Sequence, residues 1–364
     1  MTIKEAVRII EQRFPTAQAE DFDNVGLLCG RPESDISGIL VCHDALEHIV
    51  EEAIERNCNL IVCFHPIIFS GLKKITGKNY VERAVLKALE NKIAIYAIHT
   101  VLDNDYFGVN KRICDELGLV DQKILLPKQK QLLQLTVYVP HDYAEKLKNA
   151  LFSAGAGNIG FYDECSFNLR GDGTFRPLPG SDPTTGSIGS RENAAETQVS
   201  VILESHKKQQ VLAYMKEAHP YEVIAYQLIC LENENQYEGL GRYGELPKAS
   251  DEEEFLKQVK TTFDIPVIRH SGFRGKPIKR VGVLGGSGAS AISAAKAAGC
   301  DIYLTGDVKY HDFFQAEGKM VIADIGHFES ERFVVSQLHE FLSEKFTKFA
   351  ILKSEINTNP VNYF

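Results

Sequence analysis

The sequence predicts an α/β fold built from the two ends of the chain, with an α+β module inserted between them. Three observations carry this. Over the first 126 residues, apolar runs too continuous for half-solvated strands alternate with helix-like segments. The same alternation returns from residue 280 onward. Between them, strand-like segments instead alternate polar and apolar residues, as strands with one wet face do.

In chain order, residues 1–11 have the spacing of an amphipathic helix with charges throughout, so no signal peptide is expected there. Residues 38–43 read as a strand and 45–56 as a helix with Ile49, Ala53 and Ile54 on one face. A second strand, 59–64, ends at His65, a helix follows near 81–90, and a third strand, 93–98, precedes a helix to about Leu117. At the other end, 280–284 is a strand, Gly285-Gly-Ser-Gly288 a tight turn, and 289–298 a helix of small residues. Residues 301–305 and 319–324 are further strands, and a long helix covers 331–345. In the middle, strand 132–139, helix 143–153, strand 197–203, helix 207–217 and strand 223–231 suit a ferredoxin-like module. Residues 171–198, rich in Gly, Pro, Ser and Thr, read as a long mobile loop. The expected domains are therefore 1–126 and 236–364, two halves of one α/β unit, and the insert 127–235.

A chain of 364 residues can bury at least two cores. Hydrophobic residues at 44% and charged residues at 24% give an ordinary globular balance. The net charge of −9 argues against a bulk nucleic-acid binder, and no apolar stretch reaches membrane-spanning length. Eight cysteines without a CxxC, several inside apolar runs, read as buried thiols in a reducing, cytoplasmic compartment.

Four polar segments begin where predicted strands end: His65, His99, Thr305-Gly-Asp307, and Asp324 with His327. Sites in open α/β sheets form beyond the carboxyl ends of strands. A single strand-end histidine is commonly a hydrogen-bonded structural residue, but imidazoles and carboxylates converging from four ends suit a divalent metal. His327 and Glu331, four apart, face the same way on a helix. His43-Asp44 reads equally as a support for that site and as a strand-end turn. Gly285-Gly-Ser-Gly288 offers backbone N–H groups to an anion but lacks the Lys-Ser/Thr of a P-loop, and reads as readily as a structural turn.

Several motifs together resemble the NIF-three-like family, whose members are commonly labelled GTP cyclohydrolase 1 type 2 homologues. They are Phe64-His65-Pro66-Ile-Ile-Phe69, His99-Thr-Val-Leu-Asp103, Thr305-Gly-Asp-Val-Lys-Tyr-His311 and Asp324-Ile-Gly-His327-Phe-Glu-Ser-Glu331. Asp23-Asn24-Val-Gly-Leu and Gly239-Leu-Gly-Arg-Tyr-Gly-Glu-Leu also match, while Gly155 to Cys165 and Ala218-His-Pro-Tyr-Glu222 look like the PII-like insert of its longer members. The resemblance implies a two-lobed α/β fold with a PII-like α+β insert, one or two divalent ions per subunit (zinc first, then iron or manganese), and a toroidal homohexamer. By it, His65 and Asp103 bind one metal, His327 binds the second, Glu331 touches both, and His99 stands beside the site. The family usually has His-His-Pro where this chain has Phe64-His65-Pro66. Phenylalanine offers no lone pair, so the second position keeps only His327 and Glu331, and a Phe64→His replacement is expected to raise metal stoichiometry. The implied function is a metal-dependent hydrolase acting on a nucleotide-like small molecule. Glu331, Asp307 or His311 are candidates for proton handling, with no catalytic residue singled out. The alternative is a non-catalytic metal-binding regulatory or scaffold protein whose PII-like insert senses a ligand. No membrane or nucleic-acid partner is expected.

Overall fold

The computed structural model describes residues 1–364. Two compact units form: Met1–Leu126 with Glu238–Phe364, and Pro127–Tyr237.

Helix α1 (Ile3–Arg13) starts at a capping box in which Thr2 Oγ1 accepts from the Glu5 N–H and Glu5 Oε2 accepts from the Thr2 N–H. Strands β1 (Gly26–Cys29), β2 (Gly38–Asp44), β3 (Leu60–His65) and β4 (Ala94–Ala97) follow, with helices α2 (Glu47–Glu55) and α3 (Tyr80–Glu90) as crossovers. Next come α4 (His99–Asn104), α5 (Val109–Glu116) and β5 (Val120–Lys128). The second unit contributes β6 (Leu132–Pro140), α6 (Ala144–Ser153), β7 (Phe167–Phe175), β8 (Glu192–Glu204), α7 (Lys208–Ala218) and β9 (Tyr226–Cys230). The chain then runs through β10 (Asn235–Ser250), α8 (Glu252–Phe263), β11 (Arg269–His270), β12 (Ile278–Ser287), α9 (Ile292–Ala297), β13 (Ile302–Gly306) and β14 (Val321–Asp324). Helices α10 (His327–Ser330) and α11 (Val334–Lys345) and strand β15 (Ala350–Lys353) complete it.

The chain ends do not share one main sheet. They build two, ordered β1-β4-β3-β2-β15 and β11-β14-β13-β12-β10-β5. Each takes a strand from the other half of the sequence, β15 in the first and β5 in the second. Strands β2, β3 and β4 pair in parallel, as do β12, β13 and β14. Their runs are buried because helices or the other lobe cover both faces. One core joins Val41, Val62 and Tyr96 of the first sheet to Val281, Val283 and Leu304 of the second, together with residues of α1, α5, α8 and α11. The opposite faces pack under α2 and α3 through Leu40 and Ile61, and under α9 through Tyr303 and Ile322.

The unit Pro127–Tyr237 is a β-α-β-β-α-β arrangement with sheet order β7-β8-β6-β9, antiparallel throughout. Residues 171–198 are not one loop. Their ends belong to β7 and β8, paired from Phe167↔Ser200 to Phe175↔Glu192, and only 176–191 lies between. The sequence hid β7 because most of that strand is exposed, so no apolar period marks it. The Gly285–Gly288 turn is also corrected: Gly285, Gly286 and Ser287 are the last residues of β12. All eight cysteines are free and five of them are buried.

Candidate metal centre

Parallel strands β2 and β3 place Asp44 directly opposite His65, with His43 one residue earlier. From the second sheet, β14 ends at Asp324, Gly326 turns the chain at φ +90°, and α10 begins at His327. Glu331 is not inside the long helix as expected; it caps the short turn α10, and α11 starts only at Val334. The four-residue spacing still brings His327 Nε2 within 3.5 Å of Glu331 Oε2.

Three imidazoles share one arrangement. Asp44 Oδ1 lies 2.9 Å from His65 Nδ1, and its Oδ2 lies 3.1 Å from His43 Nδ1. Asp307 Oδ2 lies 2.7 Å from His327 Nδ1. A carboxylate facing Nδ1 accepts a hydrogen bond from it, which holds the proton on Nδ1 and leaves Nε2 as the free end of the ring. All three Nε2 atoms converge on Glu331 Oε2, at 3.1 Å for His43, 3.4 Å for His65 and 3.5 Å for His327. The Nε2 atoms of His65 and His327 are themselves 3.4 Å apart.

Two nitrogen lone pairs facing each other at that distance require positive charge between them. In the metal-free chain, protons supply it. Burial would lower the His65 pKa, but hydrogen bonds with Asp44 and Glu331 overcome this and raise it to about 10. His43 is raised for the same reasons. Burial alone would push Glu331 up, yet the bonds from His43 and His65 hold it below the usual carboxylate range, and Asp44 is lowered likewise.

A divalent ion fits the same place. Tetrahedral ligands roughly 2.0–2.2 Å from a centre lie roughly 3.3–3.5 Å from one another. That is the spacing of His65, His327 and Glu331, whose ligand atoms form one mutually close group. The backbone is shaped around it. A Cβ on Gly286, at φ +67°, would overlap Glu331 Oε1 and stand 3.3 Å from His327 Nε2, so only glycine fits. The Gly286 N–H donates to Ser330 Oγ at 2.8 Å, and the Gly285 N–H to Asn110 Oδ1 at 3.0 Å. Those two donors are occupied and so are not offered to an anion.

The structure brings His65, His327 and Glu331, three of the four expected ligands, into one close group. The charge of His65 also acts on Asp103. Asp103 is buried on α4, its Oδ1 without a hydrogen-bond partner; burial raises its pKa, as does the charge of Glu331. His99 stands beside the cluster, ring centroids 5.1 Å from His65, its Nδ1 2.8 Å from Asp23 Oδ1. His311 is exposed against Tyr310 and Phe314. The open choice at His43-Asp44 resolves toward the site. Asp44 orients two imidazoles and also accepts from Thr358 Oγ1 at 2.6 Å. The Asp44–His65 pairing and the Gly286 cradle had no signal in the sequence beyond their positions at strand ends.

The fold and this cluster define a two-lobed α/β protein with a partly buried histidine–carboxylate centre. The chain belongs to the Duf34/NIF3 (NGG1p interacting factor 3) family, whose model matches residues 1–360. A Halalkalibacterium halodurans protein named GTP cyclohydrolase 1 type 2 homolog is 37% identical over 363 residues, 98% of this chain and 97% of its own. A Bacillus subtilis protein of the same name is 35% identical over 365 residues, 99% and 98% of the two chains. The solved Bacillus cereus protein related to NIF3 superposes with a TM-score of 0.87 at 33% identity, covering 100% of this chain and 99% of that one. No helix is long and apolar enough to cross a membrane.

Proposed function

We propose that the protein is a divalent-metal-dependent hydrolase acting on a nucleotide-like small molecule. The observation that carries this is the facing pair of Nε2 atoms of His65 and His327, 3.4 Å apart over Glu331, each ring fixed from behind by a carboxylate. Two imidazoles and one carboxylate are a donor set for zinc, with iron and manganese also suited to it. A bound divalent cation supplies Lewis acidity, polarising the oxygen of the group under attack and making water more acidic.

The rest is done by the chain. Asp44 and Asp307 keep His65 and His327 in the tautomer whose Nε2 faces inward. Asp307 is about half exposed, so the carboxylate behind His327 stands at the solvent boundary. A cavity of about 540 Å³ opens on the cluster, lined by His65, Asp307, His327, Arg269, Phe328 and Tyr363. That is the size of a small-molecule site, with aromatic surface for a heterocycle, while the Arg269 guanidinium is already paired with Asp324. The name the relatives carry, GTP cyclohydrolase 1 type 2 homolog, points the same way. The reading extends to a toroidal homohexamer, a cytoplasmic location, and a PII-like, ferredoxin-like identity for Pro127–Tyr237.

The test is chelator-stripped protein reloaded with zinc, manganese or iron and screened against nucleotides. Turnover should require metal and be lost in His327→Gln at unchanged melting temperature and oligomeric state. Metal-independent turnover, or full turnover in that variant, refutes the proposal. One observation favours a second reading, a regulatory metal protein: the inserted unit exposes Phe161, Tyr162 and Phe167, an apolar surface suited to a partner. Metal binding without turnover on any nucleotide would support it.

A further inference from the structure

We propose that His43 is a metal ligand, and that with the shared Glu331 and the buried Asp103 it forms a second cation position beside the one held by His65 and His327. This rests on the metal reading above and adds a residue that neither the motifs nor the comparisons assign.

Phe64 leaves no donor at its own position, and it is fully buried. Its ring instead stacks on His43, centroids 5.6 Å apart and planes 20° apart, while Phe328 packs edge-on against the same imidazole at 4.7 Å. Two aromatic walls thus fix an imidazole that is itself 5% exposed. A histidine on a buried strand is most simply a satisfied structural residue. His43 departs from that pattern because its Nδ1 and Nε2 both face carboxylates, Asp44 at 3.1 Å and Glu331 at 3.1 Å. Neutral imidazole can donate to only one of them. Asp44 is already the orienting partner of His65 and accepts from Thr358, so it acts from behind both rings. The Nε2 of His43 therefore needs a proton or a metal between it and Glu331. Asp103 is the independent observation. It is 8% exposed and its Oδ1 has no hydrogen-bond partner, with the charges of Glu331 and then His65 acting on it. A buried carboxylate oxygen left unpaired is costly unless a cation takes it. His43 thus supplies from β2 the imidazole that position 64 on β3 lacks.

The experiment is cobalt loading of the stripped full-length chain, with metal counted after gel filtration. The wild type should retain about two equivalents per chain and His43→Gln about one, since losing the only imidazole of a site empties it. Crystals of the cobalt-loaded wild type should show anomalous density about 2.0–2.2 Å from His43 Nε2. That map decides the matter if His43→Gln fails to fold. Equal stoichiometry and affinity in the wild type and His43→Gln, or density only at His65 and His327, overturns this inference alone. A wild type that binds no cobalt overturns the metal reading with it.

Discussion

Gly286→Ala is the substitution that reports most directly on how the cluster is held. Its new Cβ would overlap Glu331 Oε1 and sit 3.3 Å from His327 Nε2, on a backbone at φ +67°. The backbone term alone is about 1 kcal/mol, the ordinary cost of a side chain in the left-handed region. Relief of the overlap moves the Glu331 carboxylate away from His43 and His65, and a buried charge-assisted hydrogen bond is worth about 1.5–3 kcal/mol. The expected loss in the metal-free protein is therefore about 2.5–4 kcal/mol. Gly118 is the internal control, at φ +70° with nothing within 4 Å of its added Cβ, so Gly118→Ala should show the backbone term alone. Thermal melts of both metal-free variants give the comparison, and titration with zinc gives a second readout. Gly286→Ala should lower the melting temperature about three times as far as Gly118→Ala and weaken zinc at least about 10-fold, given displaced ligand geometry. Equal melting shifts with unchanged zinc affinity would show that Glu331 is not held where the cradle argument puts it.

Other outcomes follow from single residues. Asp44→Asn removes the acceptor behind two imidazoles and should weaken metal binding about 10–100-fold while leaving the ligands themselves in place; calorimetric affinities equal to the wild type would contradict this. Asp301 is the acidic anchor of the second sheet, accepting from the Lys279 and Arg280 N–H groups, both at 2.8 Å, and from Arg274. Burial would raise its pKa, but those bonds pull it below the ordinary value. Its stabilising contribution is thus present above the unfolded carboxylate range and is lost as pH falls through the lower folded value. Asp301→Asn should therefore flatten the acid limb of the stability–pH curve, which urea midpoints between neutral and acid pH can check.

How much of this was legible from the sequence depends on which physical signal each part leaves. The buried parallel strands β2, β3, β13 and β14 are apolar runs, and runs survive without tertiary information. Strand β7 left no such trace because its side chains face water. The split into two sheets was invisible for another reason: β5 and β15 cross to the lobe of the other half, and nothing local records a partner more than a hundred residues away. Within the site, His65 and His327 were visible as metal-suited residues at or just beyond strand ends, and Glu331 by its four-residue spacing from His327. Their grouping was not, since which imidazole meets which carboxylate depends on register. Asp44 sits behind His65 only because β2 and β3 pair with those two residues opposite one another.

The charges of the cluster lead to one more expectation. Asp44, Asp307 and Glu331 bring three negative charges to three imidazoles, and the hydrogen bonds that raise His43 and His65 keep them protonated without metal. Two protons and one divalent ion carry the same charge, so the site can exchange one for the other with little change in its net field. Metal uptake near neutral pH should then release the protons of His43 and His65, about two per chain. The sign for stability is the opposite of that for binding. His65, raised to about 10, stabilises the metal-free fold fully below the unfolded histidine range and loses that contribution as pH rises through about 10. Metal affinity instead rises over the same interval, because fewer protons compete for Nε2. Calorimetry of zinc binding in buffers of differing ionisation enthalpy counts the protons released. Release of none, or an affinity flat between neutral and alkaline pH, would mean that the imidazoles are neutral before the metal arrives, and that the facing Nε2 atoms are separated by something other than positive charge.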